Sequence, residues 1–314
     1  MVTHFNRDAC YASHTNPSAP QKKKRLPVIL RPSIFAEVGG DAIVPELQPA
    51  KVNILGVMVS AITPEEADLC LQRWIDSNAR QYVCVTGVHG VMESQRDPAL
   101  KEIHNAAGMV TPDGMPLVWM ARRLGFLHVQ RVYGPDLMRR MTAIAAKRGY
   151  RNYYYGGVPG VSKQLAEVLT RAHPGLQVAG YFAPPFHPLS KEEDDAVVER
   201  INASRPDIVW VGLSTPKQER WMAAHLGRIN APVMIGVGAA FDFLAGRKRQ
   251  APRWMQSSGL EWAFRMATEP RRLAGRYMRN NPAFVLSALR QLLEPSSYPQ
   301  IPSSSSKNET QPVR

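Results

Sequence analysis

From Val52 onward the chain repeats one pattern: a short apolar run, a polar or glycine-rich turn, then an amphipathic helical stretch. The strand-like runs fall at residues 52–59, 82–85, 108–111, 152–155, 177–182, 208–213 and 233–237. Their nearly continuous apolar character is what a strand buried on both faces requires, and helical sequence between them is what parallel connections require. The expected fold is therefore α/β: a Rossmann-like, mainly parallel sheet with helices on both faces. Thr63-Pro64-Glu65-Glu66 has capping-box spacing with proline at the first helical position, which predicts a helix from there to about Ser77. Such sheets bind ligands beyond the carboxyl ends of their strands, so the turns that follow strands are where chemistry is expected.

After residue 246 the strand pattern stops and arginine-rich helical sequence takes over. The formal charge is +13, from 39 basic and 26 acidic residues, and its distribution says more than its sum. Residues 51–246 carry 21 basic and 18 acidic groups, too even a balance for a nucleic-acid groove. Residues 247–290 carry ten basic groups against two acids, Glu261 and Glu269. Trp254, Trp262, Phe264, Tyr277 and Phe284 are interleaved with these cations, a mixture that suits an anionic membrane surface. Arg272, Arg276 and Arg279 recur at helical spacing on one face, and Arg265 precedes them by two turns. The expected organisation is a disordered segment at 1–50, an α/β catalytic domain at 51–246, a basic helical C-terminal appendage at 247–294 and a disordered tail at 295–314. An exposed apolar face on the appendage would be a route to homo-oligomers.

Several classes are excluded or disfavoured. The apolar stretch at 231–244 falls short of the roughly 20 residues a membrane span needs and contains Asp242. The first residues lack the apolar core of a secretory signal. Three cysteines cannot all pair and show no metal-ligand spacing, which predicts free thiols in a reducing cytoplasm.

Four strand-end turns carry candidate chemistry. Thr86, Gly87 and His89 place a hydroxyl and an imidazole where a ligand can touch them; a helix cap and a structural histidine are the plain alternatives. Asp113 lies in Thr111-Pro112-Asp113-Gly114, a bend that projects a carboxylate able to act as general base. Its plain alternative is a cap on the following helix. Gly156 and Gly157, with Gly236 and Gly238, form glycine-rich turns whose N–H groups can meet a diphosphate. Lys217 and Gln218 follow the strand at 208–213 and can address a phosphate or a sugar. GVGAAF lacks the third glycine of a dinucleotide fingerprint. No metal-binding D-x-D triplet occurs in the chain, so neutralising a departing diphosphate would fall to arginine, lysine and helix N-termini. On residues alone, a nucleotide-dependent oxidoreductase and a nucleic-acid-binding protein using the basic C-terminus stay open beside a transferase.

In chain order, VTGVHGVMESQRDP, TPDGMPLVWMARRLG, RVYGPDLM, YYYGGVPGV, GLSTPKQERWM and the block from GVGAAFDFLAGRKRQ to GRYMRNNP resemble the WecG/TagA/CpsF glycosyltransferases, over about residues 50–290. The resemblance implies transfer of a hexose, N-acetylmannosamine or a related sugar, from a UDP-sugar to an undecaprenyl-diphosphate-linked saccharide in cell-surface polymer synthesis. It further implies inversion, no metal and no other cofactor, and a peripheral location on the cytoplasmic face of the cell membrane, with no nucleic acid as partner. Position by position, Asp113 matches the catalytic base and Thr86 the strand-end motif, although Gly87 and Val88 follow it where the family often has T-x-N. Arg131, Gly134 and Asp136 match R-x-x-G-x-D-L; Gln218 and Glu219 match P-K-Q-E; Gly238 and Asp242 belong to the block expected at the nucleotide. His89, Gly156 and Gly157 are expected at the substrate, and Arg265, Arg272, Arg276 and Arg279 at the diphosphate or the membrane.

Overall fold

The computed structural model describes residues 48–300. The disorder expected for the N-terminal segment and for 301–314 falls outside the described residues, as does Cys10. A hairpin comes first: β1 (Lys51–Ile54) pairs antiparallel with β2 (Val57–Ser60) around Leu55 and Gly56, at φ of 54° and 81°. The one strand expected at 52–59 is thus two. Two residues at positive φ make the tight turn that matches strand twist. Leu55 hides that turn in the sequence because its side chain is itself buried.

The alternation then runs as expected. α1 (Pro64–Asp76) starts at the capping box, with Thr63 Oγ1 accepting from Glu66 N (3.2 Å) and Glu66 accepting from Thr63 N (2.8 Å). There follow β3 (Gln81–Thr86), α2 (Val88–Arg96), α3 (Pro98–Ala106), β4 (Met109–Pro112), α4 (Met115–Arg123), α5 (Gly134–Arg148), β5 (Arg151–Gly156) and α6 (Val161–Ala172). Then come β6 (Gln177–Phe182), α7 (Lys191–Ala203), β7 (Ile208–Gly212), α8 (Lys217–His225), β8 (Val233–Gly236) and the short α9 (Ala240–Leu244). The C-terminal segment is α10 (Arg253–Ser257), α11 (Glu261–Thr268) and α12 (Pro270–Leu293).

Six strands form a parallel sheet in the order β4-β3-β8-β7-β5-β6. Period-two alternation divides the core between its faces. Tyr82, Cys84, Val209 and Val211 pack with residues of α2, α4, α8 and the hairpin. Val83, Val85, Ile208 and Trp210 pack with α1, α5, α6 and α9. The topology itself opens a crevice. β3 and β8 are neighbours, yet the chain leaves β3 toward one face, into α2, and leaves β8 toward the other, into α9. Their carboxyl ends therefore diverge, which is the arrangement at which open α/β sheets bind ligands.

The segment at 247–294 packs onto the sheet domain, and the described residues belong to one compact unit. Asn280 of α12 accepts from Arg96 of α2 (2.9 Å), and the fully buried Gln291 accepts from Leu55 N (2.9 Å) and donates to Asn53 O (2.7 Å). Of the tail expected to be disordered from 295, the described residues 295–300 lie against the hairpin. A 3-10 turn, Pro295–Ser297, leads to Pro299 and Gln300, which bond Asn53 of the hairpin (3.1 and 2.8 Å). Polar side chains make these bonds, which is why low apolar content misled the expectation.

Gly156 also differs from expectation. Its φ is 122°, and a Cβ there would lie 2.7 Å from the main chain of Gly212 on β7. Gly157 donates its N–H to Gly212 O (3.0 Å). The glycines at 156 and 157 serve the close approach of strand ends, and neither lines the cavity described next.

Candidate active site

A cavity of about 750 Å³ sits over the carboxyl ends of β4, β3, β8 and β7, and the C-terminal segment forms its far wall. That volume is in the range of small-molecule sites.

Asp113 follows β4 at the floor. Its N–H donates to Thr86 O (2.9 Å), and its Oδ1 accepts from Gly134 N (3.0 Å), the first residue of α5. The carboxylate therefore does cap a helix, but a helix distant in sequence; α4 begins without a side-chain cap. The dipole of α5 and its free N–H favour negative charge at this point. Oδ2 accepts no hydrogen bond among the described residues, and Gly87 leaves open space beside it. Burial pushes the Asp113 carboxyl above the ordinary carboxylate range; Arg131 draws it down, Glu261 raises it, and the Gly134 N–H draws it down again, leaving it net raised. A carboxylate so shifted is a better base near neutral pH.

Glu261, from α11, ties the C-terminal segment to this floor. Arg131 Nη2 donates to Glu261 Oε2 (2.5 Å), and Tyr133 OH donates to Oε1 (3.0 Å). Arg131 Nε donates to the main-chain carbonyl of Asp113, and its guanidinium lies 4.1 Å from the Tyr133 ring centroid. Both partners of the Arg131–Glu261 pair are largely buried. Loss of one partner from such a pair costs about 3–5 kcal/mol.

The opposite wall is cationic. Arg265, Arg272 and Arg276 line it. Arg272 pairs with Glu269 (2.6 Å). Among the described residues Arg265 and Arg276 form no ion pair, and Arg265 Nε is buried without a hydrogen-bond partner, its guanidinium 5.5 Å from the Phe243 ring centroid. Burial and then the neighbouring Arg272 hold Arg276 below the usual arginine range. Cations packed together without counter-ions form a site for a multivalent anion.

Two further expected residues reach the cavity. His89 lines it and accepts at Nδ1 from Asn280 Nδ2 (3.1 Å); burial, then Arg276, lowers its pKa to about 4, so it is neutral at pH 7. Gln218 lines it beside Gly238; its Nε2 donates to Glu219 Oε1 (3.1 Å), and its buried Oε1 has no partner.

Other expected residues lie elsewhere. Thr86 is buried with its hydroxyl bonded to His104 Nε2 (3.0 Å), and does not line the cavity. Glu219 is fully buried, accepting from Thr215 OH (2.8 Å), and its role is to hold Gln218 and the β7–α8 turn. Asp136 pairs with Arg139 and Arg253 (2.8 Å each), and Asp242 with Lys248 (3.1 Å). Arg279 is exposed on α12 outside the cavity. The Gly236–Gly238 turn runs into a helix of only five residues, too short for a dinucleotide crossover. Sequence reasoning missed Glu261, Tyr133 and Asn280. Glu261 had one signal, as one of two acids in a strongly basic segment.

A parallel α/β sheet whose strand-end cavity sets a carboxylate opposite arginines has the makings of a site for an anionic small-molecule substrate. Sequence comparison makes the class specific. The chain belongs to the glycosyl transferase WecG/TagA/CpsF family, whose profile matches residues 52–298. It is 27% identical over 244 residues to the N-acetylglucosaminyldiphosphoundecaprenol N-acetyl-beta-D-mannosaminyltransferase of Bacillus spizizenii, spanning 78% of this chain and 92% of that protein. Proteins of the same description from Bacillus subtilis (25% over 224 residues, 71% and 85% of the two chains) and Staphylococcus aureus (27% over 238, 75% and 91%) are also similar. The protein is a glycosyltransferase.

The raised Asp113 has a stability consequence. Its folded pKa lies above its unfolded value near 3.8, so stability is lost as pH rises from that value through the folded pKa, and the ionised group is a net cost at neutral pH. Asp113→Asn keeps the acceptor for Gly134 N–H and removes the charge. Melting curves should give the variant a Tm at or above wild type at pH 7, the gap closing toward pH 4; a variant clearly less stable at pH 7 would contradict the electrostatics described.

Proposed function

We propose that the enzyme transfers N-acetylmannosamine or a related hexose from a UDP-sugar to an undecaprenyl-diphosphate-linked saccharide, in one inverting displacement with Asp113 as general base, for the synthesis of a cell-surface polymer. The observation that carries this reading is the placement of the free Asp113 Oδ2 in the same cavity as Arg265 and Arg276, cations without counter-ions among the described residues. The names of the relatives supply the acceptor chemistry.

The sheet supports a direction for the donor. Strand ends at the cavity follow the order β4, β3, β8, β7 at about 4.8 Å per step, so the end of β8 lies about 10 Å and the end of β7 about 14 Å across the sheet from the end of β4, which leads to Asp113. A nucleoside diphosphate lies along that edge with its base near Gln218, its phosphates under the arginines and the anomeric carbon toward Asp113. The acceptor hydroxyl gives its proton to Asp113 as its oxygen bonds to the anomeric carbon. The bond from that carbon to the diphosphate oxygen breaks, and UDP leaves with the electron pair, its charge met by Arg265 and Arg272. A retaining route through a covalent intermediate wants a second carboxylate about 5 Å away. Glu261, the other carboxylate lining the cavity among the described residues, is committed to Arg131 and Tyr133.

The same reading places the enzyme peripherally on the inner face of the membrane. Among the described residues no helix is long and apolar enough to cross a bilayer. α12 instead carries Met278, Leu286 and Leu293, each more than two-thirds exposed, near the exposed Arg271, Arg279 and Arg290. Cations near anionic lipid contribute about 1 kcal/mol each, enough for reversible attachment.

The decisive assay presents a panel of UDP-sugars and a polyprenyl-diphospho-N-acetylglucosamine acceptor in excess EDTA, and reads UDP release together with the anomeric coupling of the product. One UDP-sugar should turn over, with inversion and at the rate seen without chelator. A rate that collapses in EDTA and returns with Mg²⁺, or a retained anomer, overturns the mechanism. For attachment, Leu286→Asp/Leu293→Asp should lower partitioning onto phosphatidylglycerol vesicles about tenfold or more without changing the Tm shift caused by UDP; equal partitioning contradicts the membrane role.

A further inference from the structure

Beyond the arginines the cavity has an apolar arm that the transfer chemistry does not use. α4 contributes Trp119 and Met120 to its lining, and α12 contributes Val285, Ala288, Leu289 and Leu292. On α12 the spacing is that of a single stripe, and on α4 Trp119 and Met120 extend one that begins at Met115 and Pro116. The α12 stripe lies beside the side chains that dock the helix: Leu273, Asn280, Phe284 and Gln291 are buried, Asn280 and Phe284 also reaching the cavity, while Val285 and Leu289 remain more than half exposed. It is separate from Leu286 and Leu293, which lie outside the cavity. Trp119 is 47% exposed although it stands in a cavity wall. Apolar surface left open inside a ligand cavity calls for an apolar ligand part.

We propose that this arm binds the first prenyl units of the lipid-linked acceptor, so that the isoprenoid leaves the site between α4 and α12. The inference rests on the acceptor class given under Proposed function, and adds where the lipid runs. Three observations fix the occupant. Arg276 and the arm residues line one cavity and lie on the same helix, α12, so one ligand with a diphosphate head and an apolar tail meets a cationic and an apolar surface in turn. From Val285 to Leu292 the helix rises about 10 Å at about 1.5 Å per residue, room for about two prenyl units. Finally, the arm flanks the β4 end of the sheet edge, whereas Gln218 and its unpartnered Oε1 mark the β7 end. Donor and acceptor therefore enter from opposite sides, and Asp113 stands between them. The exposed Leu286 and Leu293 lie on the same stretch of α12, so a tail leaving the arm emerges beside the apolar side chains that would face the bilayer.

The test measures binding by calorimetry to the full-length protein in detergent below its micelle concentration, with geranylgeranyl diphosphate and ethyl diphosphate as probes. Wild type should bind the four-prenyl probe about tenfold or more tighter than the ethyl probe. Val285→Trp, which fills the arm at an exposed position, and Leu289→Asp should each remove most of that advantage while leaving ethyl diphosphate affinity within about twofold. Leu286→Asp, outside the arm, should keep it. Equal affinity of wild type for both probes, or an advantage that survives both arm variants, overturns the inference. Loss of the advantage in Leu286→Asp as well would assign it to general surface hydrophobicity and likewise overturn it. Absence of sugar transfer in the UDP-sugar assay would overturn the function proposed above while the calorimetry still decides the arm.

Discussion

A carboxylate that is to accept a proton inside a half-closed, arginine-rich cavity must be held firmly and yet kept from pairing with a cation. Asp113 meets both conditions through one contact and one diversion. The Gly134 N–H at the start of α5 holds Oδ1, and Glu261 takes up the nearest guanidinium, that of Arg131. Arg131 still reaches the Asp113 main chain, but its charge is balanced by a carboxylate from α11. The opposing influences of Arg131 and Glu261 on the Asp113 carboxyl express the same balance. Without Glu261, the arginine would be free to ion-pair with the base and hold its pKa down, where it is a poorer proton acceptor.

The C-terminal segment is consequently part of the site. It supplies the counter-ion for Arg131, the cationic wall and the apolar arm, and it is fastened to the rest of the chain at three separated places: Glu261 on Arg131, Asn280 on Arg96 and His89, and Gln291 on the hairpin. α12 presents three sets of side chains, the first two sharing Asn280 and Phe284. One set docks, one lines the cavity, and one consists of exposed leucines with basic neighbours. With all three on a single helix, the proposed membrane attachment would be coupled to the geometry of the cavity.

Most of the sheet could be read from the sequence because buried parallel strands leave a nearly continuous apolar signature, and the strand-end rule then put Asp113 among four candidate turns, from which the family resemblance singled it out. The hairpin could not, because a buried Leu55 occupies a turn position that usually shows a polar residue. Motif residues were a weaker guide. Thr86, Asp136, Glu219 and Asp242 belong to the family's blocks, yet in the fold each is engaged with a protein partner. A motif records that a residue type is needed, and does not tell ligand contact from scaffold. Gly156 looked like a phosphate loop and turned out to admit the main chain of Gly212. The pairings that close the cavity, Arg131 with Glu261 and His89 with Asn280, join positions more than a hundred residues apart and leave no local pattern to read.

The central claim is that Asp113 acts on the acceptor hydroxyl and takes little part in holding the donor. The most direct measurement is the single-turnover transfer rate of Asp113→Asn with saturating donor and acceptor, alongside its affinity for UDP. The account predicts a rate lower by about 10²–10⁴-fold with UDP affinity nearly unchanged. A rate close to wild type, or a loss explained entirely by weaker UDP binding, would contradict it.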